Sequence, residues 1–201
     1  MIRSIFLTGL GGQGVLTVAG ILADQAAEAG LEVSLFNAKG MAQRGGRVTS
    51  EVRLSRDPAA EFGARISAGG ADVIIGMEIG ETINSLPFLR PGGAALLLNY
   101  AYVPAEAVLK KQPYPTFERA CRLFAERTGV LFALEKPESP HNVFVLGVFA
   151  AVVPAIDEAF AFYSPESLVK TISDKLKKGL DHNLQAFRLG YTYGQSLLQR
   201  S

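Results

Sequence analysis

Between residues 9 and 14, four glycines interrupt an otherwise apolar stretch, "FLTGLGGQGVL". Residues 3–8 ahead of them form a continuous apolar run, the pattern of a strand covered on both faces. Behind them Val15, Leu16, Val18, Ala19, Leu22, Ala23 and Ala26 mark one side of a helix over 14–29, stopped by Gly30. A buried strand that turns on glycines straight into a helix admits few folds. A second strand, "LEVSLFN" at 31–37, follows at once. Strand, helix and strand within about 35 residues are the unit of a parallel sheet.

The rest of the chain continues the alternation. In 47–54, Val48, Ser50, Val52 and Leu54 fall on one face and Arg47, Thr49, Glu51 and Arg53 on the other, which predicts a half-exposed strand whose arginines are solvated or at an interface. "ADVIIGM" at 71–77 reads as a buried strand, 80–89 as a short helix, and "PGGAALLLN" at 91–99 as a turn and strand. A helix over 114–129 ends at Gly129, and a strand follows at 130–137. Residues 141–154 form a buried helix. Ser164 and Pro165 open another helix that runs to Gly179, and a last one starts near Asp181. The 201 residues suffice for one substantial domain. The expected fold is a single α/β, Rossmann-like domain over 1–201: three layers, a mostly parallel sheet, and the first strand central.

Charge and cysteine content narrow the function. Twenty basic and 19 acidic residues leave a net charge of +1, so no broad field draws nucleic acid or an anionic membrane. The apolar run 142–156 is short of the roughly 20 residues that a membrane span needs. The glycines at 9–14 break the apolar stretch near the start, which argues against a secretory signal. Cys121 is alone, so neither an intrachain disulfide nor a four-cysteine cluster can be built from this chain. That usage fits a cytoplasmic protein.

Gly9, Gly11 and Gly14 match G-x-G-x-x-G, with Gly12 and Gln13 inside the turn. Such a turn brings backbone close to a ligand and aims free helix N–H groups at a pyrophosphate. A dinucleotide also needs an acid at the end of the second strand for its ribose hydroxyls. Here that strand ends in Asn37, Lys39 follows, and Glu32 lies at the opposite end. Three readings stay open on these residues. The turn serves a stand-alone NAD(P)-dependent oxidoreductase, or it holds another anion, or it binds nothing and is purely structural.

A second glycine-rich stretch, "GMAQRGG" at 40–46, places Gln43 and Arg44 before Gly45 and Gly46. It should fall at the C-terminal ends of the early strands, where open α/β sheets bind ligands. Arg44 offers a planar fork for phosphate or carboxylate, and Gln43 both donors and acceptors. A solvated glycine-rich turn explains the same residues.

"GLGGQGVLTVAGILADQAAEAG" followed by "NAKGMAQRGGRVTSEVRLS" resembles the gamma-type subunits of 2-oxoacid:ferredoxin oxidoreductases, closest to the small (beta) subunits of the indolepyruvate type. The likeness continues through "ADVIIGMEIGETINSLPFLRPGG" and "HNVFVLGVFAA" to "NLQAFRLGY". In that family a 2-oxoacid is decarboxylated on thiamine diphosphate, electrons leave through iron–sulfur clusters to ferredoxin, and the acyl group passes to coenzyme A. The resemblance implies an accessory subunit beside a large partner that carries thiamine diphosphate, magnesium and [4Fe-4S] clusters. It leaves room for coenzyme A at the glycine motifs, Gly9, Gly11, Gly12, Gln13, Gly14, Gln43, Arg44, Gly45 and Gly46. No Gly-Asp-Gly, the thiamine signature, occurs in the chain. His141 and His182, in "PHN" and "DHN", read as helix-capping rather than catalytic histidines.

Overall fold

The computed structural model describes residues 1–40, 45–104, 108–138 and 140–199. Six strands form one sheet in the order β2-β3-β1-β4-β5-β6. They are β1 (Ile2–Leu10), β2 (Glu32–Lys39), β3 (Arg47–Ser55), β4 (Ala71–Gly76), β5 (Leu89–Asn99) and β6 (Val130–Glu135). β1, β4, β5 and β6 run parallel, and β1 sits inside the sheet. β3 is antiparallel to both β1 and β2. The sheet is therefore mostly parallel with a central first strand, as the apolar runs predict.

One feature of the β-α-β start differs from expectation. β1 and β2 are parallel but not neighbours, because β3 is inserted between them. The helix that follows β1, α1 (Val15–Glu28), crosses over two ladders instead of one. Nor is β3 half-exposed. Thr49, Ser50 and Glu51 are buried, since the strand has neighbours on both sides and Phe62, Gly63, Arg65 and Ile66 contact its polar face. Arg65 donates to Glu51 Oε1 at 2.9 Å and stacks on the Phe36 ring. Arg53 donates to the carbonyls of Gly63 and Arg65. Arg47 pairs with Glu81 at 3.2 Å. The arginines of this strand are thus engaged within the chain.

Helices cover both faces. α1, α4 (His141–Ile156) and α5 (Pro165–Lys175) share one large core with Ile5, Leu7, Val52, Ile75 and Leu96 of the sheet. α4 is buried from Val143 to Val153, which explains why its sequence shows no polar face. α6 (Leu180–Leu198) lies against α4, with Gly147 and Gly190 each set close to the facing helix backbone. α2 (Ile79–Ser85), a 3₁₀ turn at Leu86–Phe88 and α3 (Phe117–Ala125) cover the other face around Phe6, Ile74, Leu97 and Phe124. Residues 80–89, expected as one helix, are divided, with Pro87 in the tighter turn. The penultimate helix, expected to run to Gly179, stops at Lys175 as α5, and Gly179, at φ 64°, starts α6 instead. Residues 91–93, expected as a turn, lie within β5, where a register shift against β4 between Ala71 and Val73 absorbs them.

Candidate functional site

α1 leaves β1 toward one face of the sheet and α2 leaves β4 toward the other. The C-terminal ends of β1 and β4 are therefore a switch point, the place where open α/β sheets bind ligands. Every candidate residue within the described segments lies at this end of the sheet.

The turn after β1 is tight. Gln13 N–H donates to Leu10 C=O at 3.1 Å, Gly12 has φ 96° and Gly14 has φ 79°. The two glycine motifs meet: Gly11 N–H donates to Gly46 C=O at 2.8 Å. Gly40 N–H donates to Arg47 C=O at 2.7 Å, so the two described ends of the second motif lie together. Gln43 and Arg44 lie outside the described residues. Gly45, at φ 70°, rests on the Tyr102 ring, which a Cβ there would approach to 3.1 Å.

An open cleft of about 590 Å³ lies on the α1 side of the turn, lined by Gly11, Gly12, Gly14, Thr17, Lys39 and Gly40 among others. A Cβ built on Gly12 meets nothing within 4 Å. One built on Gly14 runs into the Asn142 side chain at the start of α4. The first N–H groups of a helix have no intrahelical partner. Those of α1 receive no side-chain cap, and no acid stands in its first turn. Their partial positive charge faces the cleft, joined by Lys39. This donor set suits an anion.

Gly9 and Gln13 face inward. Gln13 is buried, and its Oε1 accepts from Leu10 N–H at 2.6 Å while its Nε2 donates to Met77 C=O at 2.9 Å. Its side chain fills the crevice between β1 and β4 that a dinucleotide would enter. β2 runs on past Asn37, its expected last residue, to Lys39; Asn37 is two strands from β1 and accepts from the Ser50 hydroxyl. Both features count against a nicotinamide dinucleotide at this turn.

Several residues that shape this edge escape the sequence reading. Lys39 draws notice there only as the residue after a missing acid. Glu78, fully buried, accepts from Glu81 N–H (2.9 Å), Tyr102 N–H (3.1 Å) and the Tyr114 hydroxyl (2.8 Å). It ties α2 to Tyr102 and Tyr114, and Tyr102 packs on Gly45. Burial, followed by the hydrogen bond to Glu78, pushes the Tyr114 phenol well above its ordinary value. Burial also raises the Glu81 carboxyl, against the pull of Arg47.

The histidines do not cap. Pro140 is the N-cap of α4 and Gly179 that of α6, neither with a side-chain bond. His141 stacks on Tyr100 with ring centres 5.8 Å apart, and His182 lies exposed in the first turn of α6. Burial, then the Lys136 charge, lowers the His141 imidazole below its usual value. Among the described residues no three His, Cys, Asp or Glu side chains could share a metal ion, and no helix is long and apolar enough to cross a membrane.

The fold and sequence have clear relatives. Indolepyruvate oxidoreductase subunit IorB of Archaeoglobus fulgidus is 32% identical over 193 residues, 94% of this chain and 93% of that one. The gamma subunit of a keto/oxoacid ferredoxin oxidoreductase from Geobacter sulfurreducens superposes with a TM-score of 0.64 at 19% identity, covering 96% and 99% of the two chains. The 2-oxoglutarate:ferredoxin oxidoreductase of Magnetococcus marinus, solved with 2-oxoglutarate, coenzyme A and succinyl-CoA, superposes at 0.66 with 23% identity; the match covers 97% of this chain and 31% of that longer one. The sequence profile of the pyruvate ferredoxin/flavodoxin oxidoreductase family matches residues 4–193. The chain belongs to that family, as a small subunit of the 2-oxoacid oxidoreductase type.

Proposed function

We propose that this chain is the accessory subunit of an indolepyruvate-type 2-oxoacid:ferredoxin oxidoreductase, and that its glycine cleft receives the pyrophosphate end of coenzyme A. The observation that carries the second part is the uncapped start of α1, which opens with Gly12 and Lys39 onto one cleft. The Magnetococcus enzyme, part of which has a similar fold, was solved with coenzyme A bound, which supports coenzyme A as a ligand of such an enzyme. Here the first-turn N–H groups of α1 would hold the phosphate oxygens, Gly12 would allow their approach, and Lys39 would offset their charge. Gly45 and Gly46 would set the cleft's rim through Gly11, and by their chemistry Gln43 and Arg44 are candidates to contact the ligand or the partner.

The large partner would carry thiamine diphosphate, magnesium and [4Fe-4S] clusters, and would pass electrons to ferredoxin. Thiamine diphosphate supplies the carbanion chemistry of decarboxylation when bound. This chain's single cysteine cannot ligate a cluster, and it lacks Gly-Asp-Gly. Its own part is to bind and orient the acyl acceptor. Reduction of a viologen by indolepyruvate and coenzyme A tests the division of labour. Activity should be absent for this chain alone and appear on mixing with the large subunit. Turnover by the purified chain would overturn the accessory role.

A further inference from the structure

Where β1 and β4 part, a side chain finishes their hydrogen-bond ladder. Met77 N–H donates to Thr8 C=O at 2.9 Å. In a parallel pair the slanted bonds alternate in direction, so the next rung would run from Leu10 N–H to Met77 C=O. Neither group reaches the other. Leu10 N–H donates instead to Gln13 Oε1 (2.6 Å), and Gln13 Nε2 donates to Met77 C=O (2.9 Å). One amide group stands in the missing rung and holds the two strand ends apart by its own width. It is only 7% exposed, so both bonds are shielded from water. Gly9 makes the room: a Cβ there would lie 2.7 Å from Gln13 Oε1 and 2.9 Å from Val15 Cγ2.

The same residue closes the glycine turn through its backbone, by its N–H to Leu10 C=O. Gly11 and Gly12 are thus slung between two anchors that both belong to Gln13. Gly14, the N-cap of α1, follows it directly. We infer that Gln13 is a positioning residue: its amide, wedged between β1 and β4, sets where Gly12 and the start of α1 stand in the cleft, without touching the ligand. The inference rests on the coenzyme A reading of that cleft.

Gln13→Met is the informative substitution. Methionine makes neither bond, and its unbranched, flexible side chain can fold aside from the rung. Without the wedge, Leu10 N–H and Met77 C=O are free to close the rung directly, which leaves no buried group unpaired and keeps the fold. The turn is then drawn toward β4, away from its place in the cleft. The assay is steady-state turnover of the reconstituted two-subunit enzyme with indolepyruvate, with Gly12→Ala run alongside. For Gln13→Met the KM for coenzyme A should rise about tenfold, with kcat and the KM for indolepyruvate within about twofold of wild type and Tm little changed. An unchanged KM for coenzyme A beside a raised one in Gly12→Ala would overturn the inference and leave the cleft assignment standing. No change in either variant would overturn both. A fall in kcat, both affinities and Tm together would show that Gln13 serves only the fold, and would also overturn it.

Discussion

Gly12 and Gly14 both have positive φ, yet their surroundings make them unequal. An alanine in the left-handed region is strained by about 1–2 kcal/mol at either position. At Gly12 that is the whole effect, because nothing lies within 4 Å of the new methyl group. At Gly14 the methyl group also meets Asn142, whose Cγ would be 2.9 Å away and Cβ 3.1 Å, at the start of the buried helix α4. Overpacking of this kind adds roughly 1–3 kcal/mol. The expected losses are then about 1–2 kcal/mol for Gly12→Ala and about 2–5 kcal/mol for Gly14→Ala. For a domain of this size each kcal/mol lowers Tm by about 2–4 °C. Thermal melting of the purified chain compares the two. Asn142→Ala in the Gly14→Ala background removes the amide that the methyl group strikes, and should restore about 1 kcal/mol or more while leaving the φ strain. Equal losses for the two glycine variants, or no recovery in the double variant, would refute the packing contact between the turn and α4.

Three other outcomes follow from the same edge of the sheet. Tyr114→Phe removes one of the three donors to buried Glu78 and should cost about 1.5–3 kcal/mol, measured by urea unfolding. Because the native Tyr114 phenol is raised, its stabilising contribution is present below the ordinary phenol value near 10 and is lost as pH rises through the native value; burial raises the Tyr163 phenol as well, so ultraviolet titration should show late-ionising tyrosines, one fewer of them in Tyr114→Phe. The lowered His141 imidazole gives the opposite dependence, with stability present above about pH 6.5 and lost as pH falls toward the native value. His141→Phe, which keeps a ring against Tyr100, should flatten Tm against pH in that window. Gln43→Ala combined with Arg44→Ala should melt like wild type but assemble or turn over poorly with the large subunit; wild-type assembly and kinetics would remove both residues from the site.

The elements of this chain were legible wherever local periodicity decided them. β1, α1, β4 and α4 match their apolar runs within a residue or two at most ends, because burial on one or both sides leaves a pattern in the residues themselves. Strand order leaves no such trace. Nothing local in 47–54 says that β3 will enter between β1 and β2, and that insertion buries Thr49 and Glu51 and removes Asn37 from the ligand edge. The pairing of Arg65 with Glu51 joins residues 14 apart through a loop without periodicity, so the strand's polar face reads as solvated from sequence. The glycine turn was visible as a turn, and its meeting with the second glycine motif at Gly11 and Gly46 was not. The inward course of Gln13 was equally hidden, since a glutamine between glycines looks the same whether it reaches for a ligand or for Met77.

Coenzyme A and pantetheine share the reacting thiol, but only coenzyme A carries a pyrophosphate. Their KM values in the reconstituted enzyme therefore isolate the contact at the glycine turn. Gly12→Ala should raise the KM for coenzyme A about tenfold, because it adds a methyl group to a residue that lines the cleft with open space beside it, and leave that for pantetheine within about twofold. Equal KM changes for the two acceptors, or none for either, would contradict a pyrophosphate at this cleft.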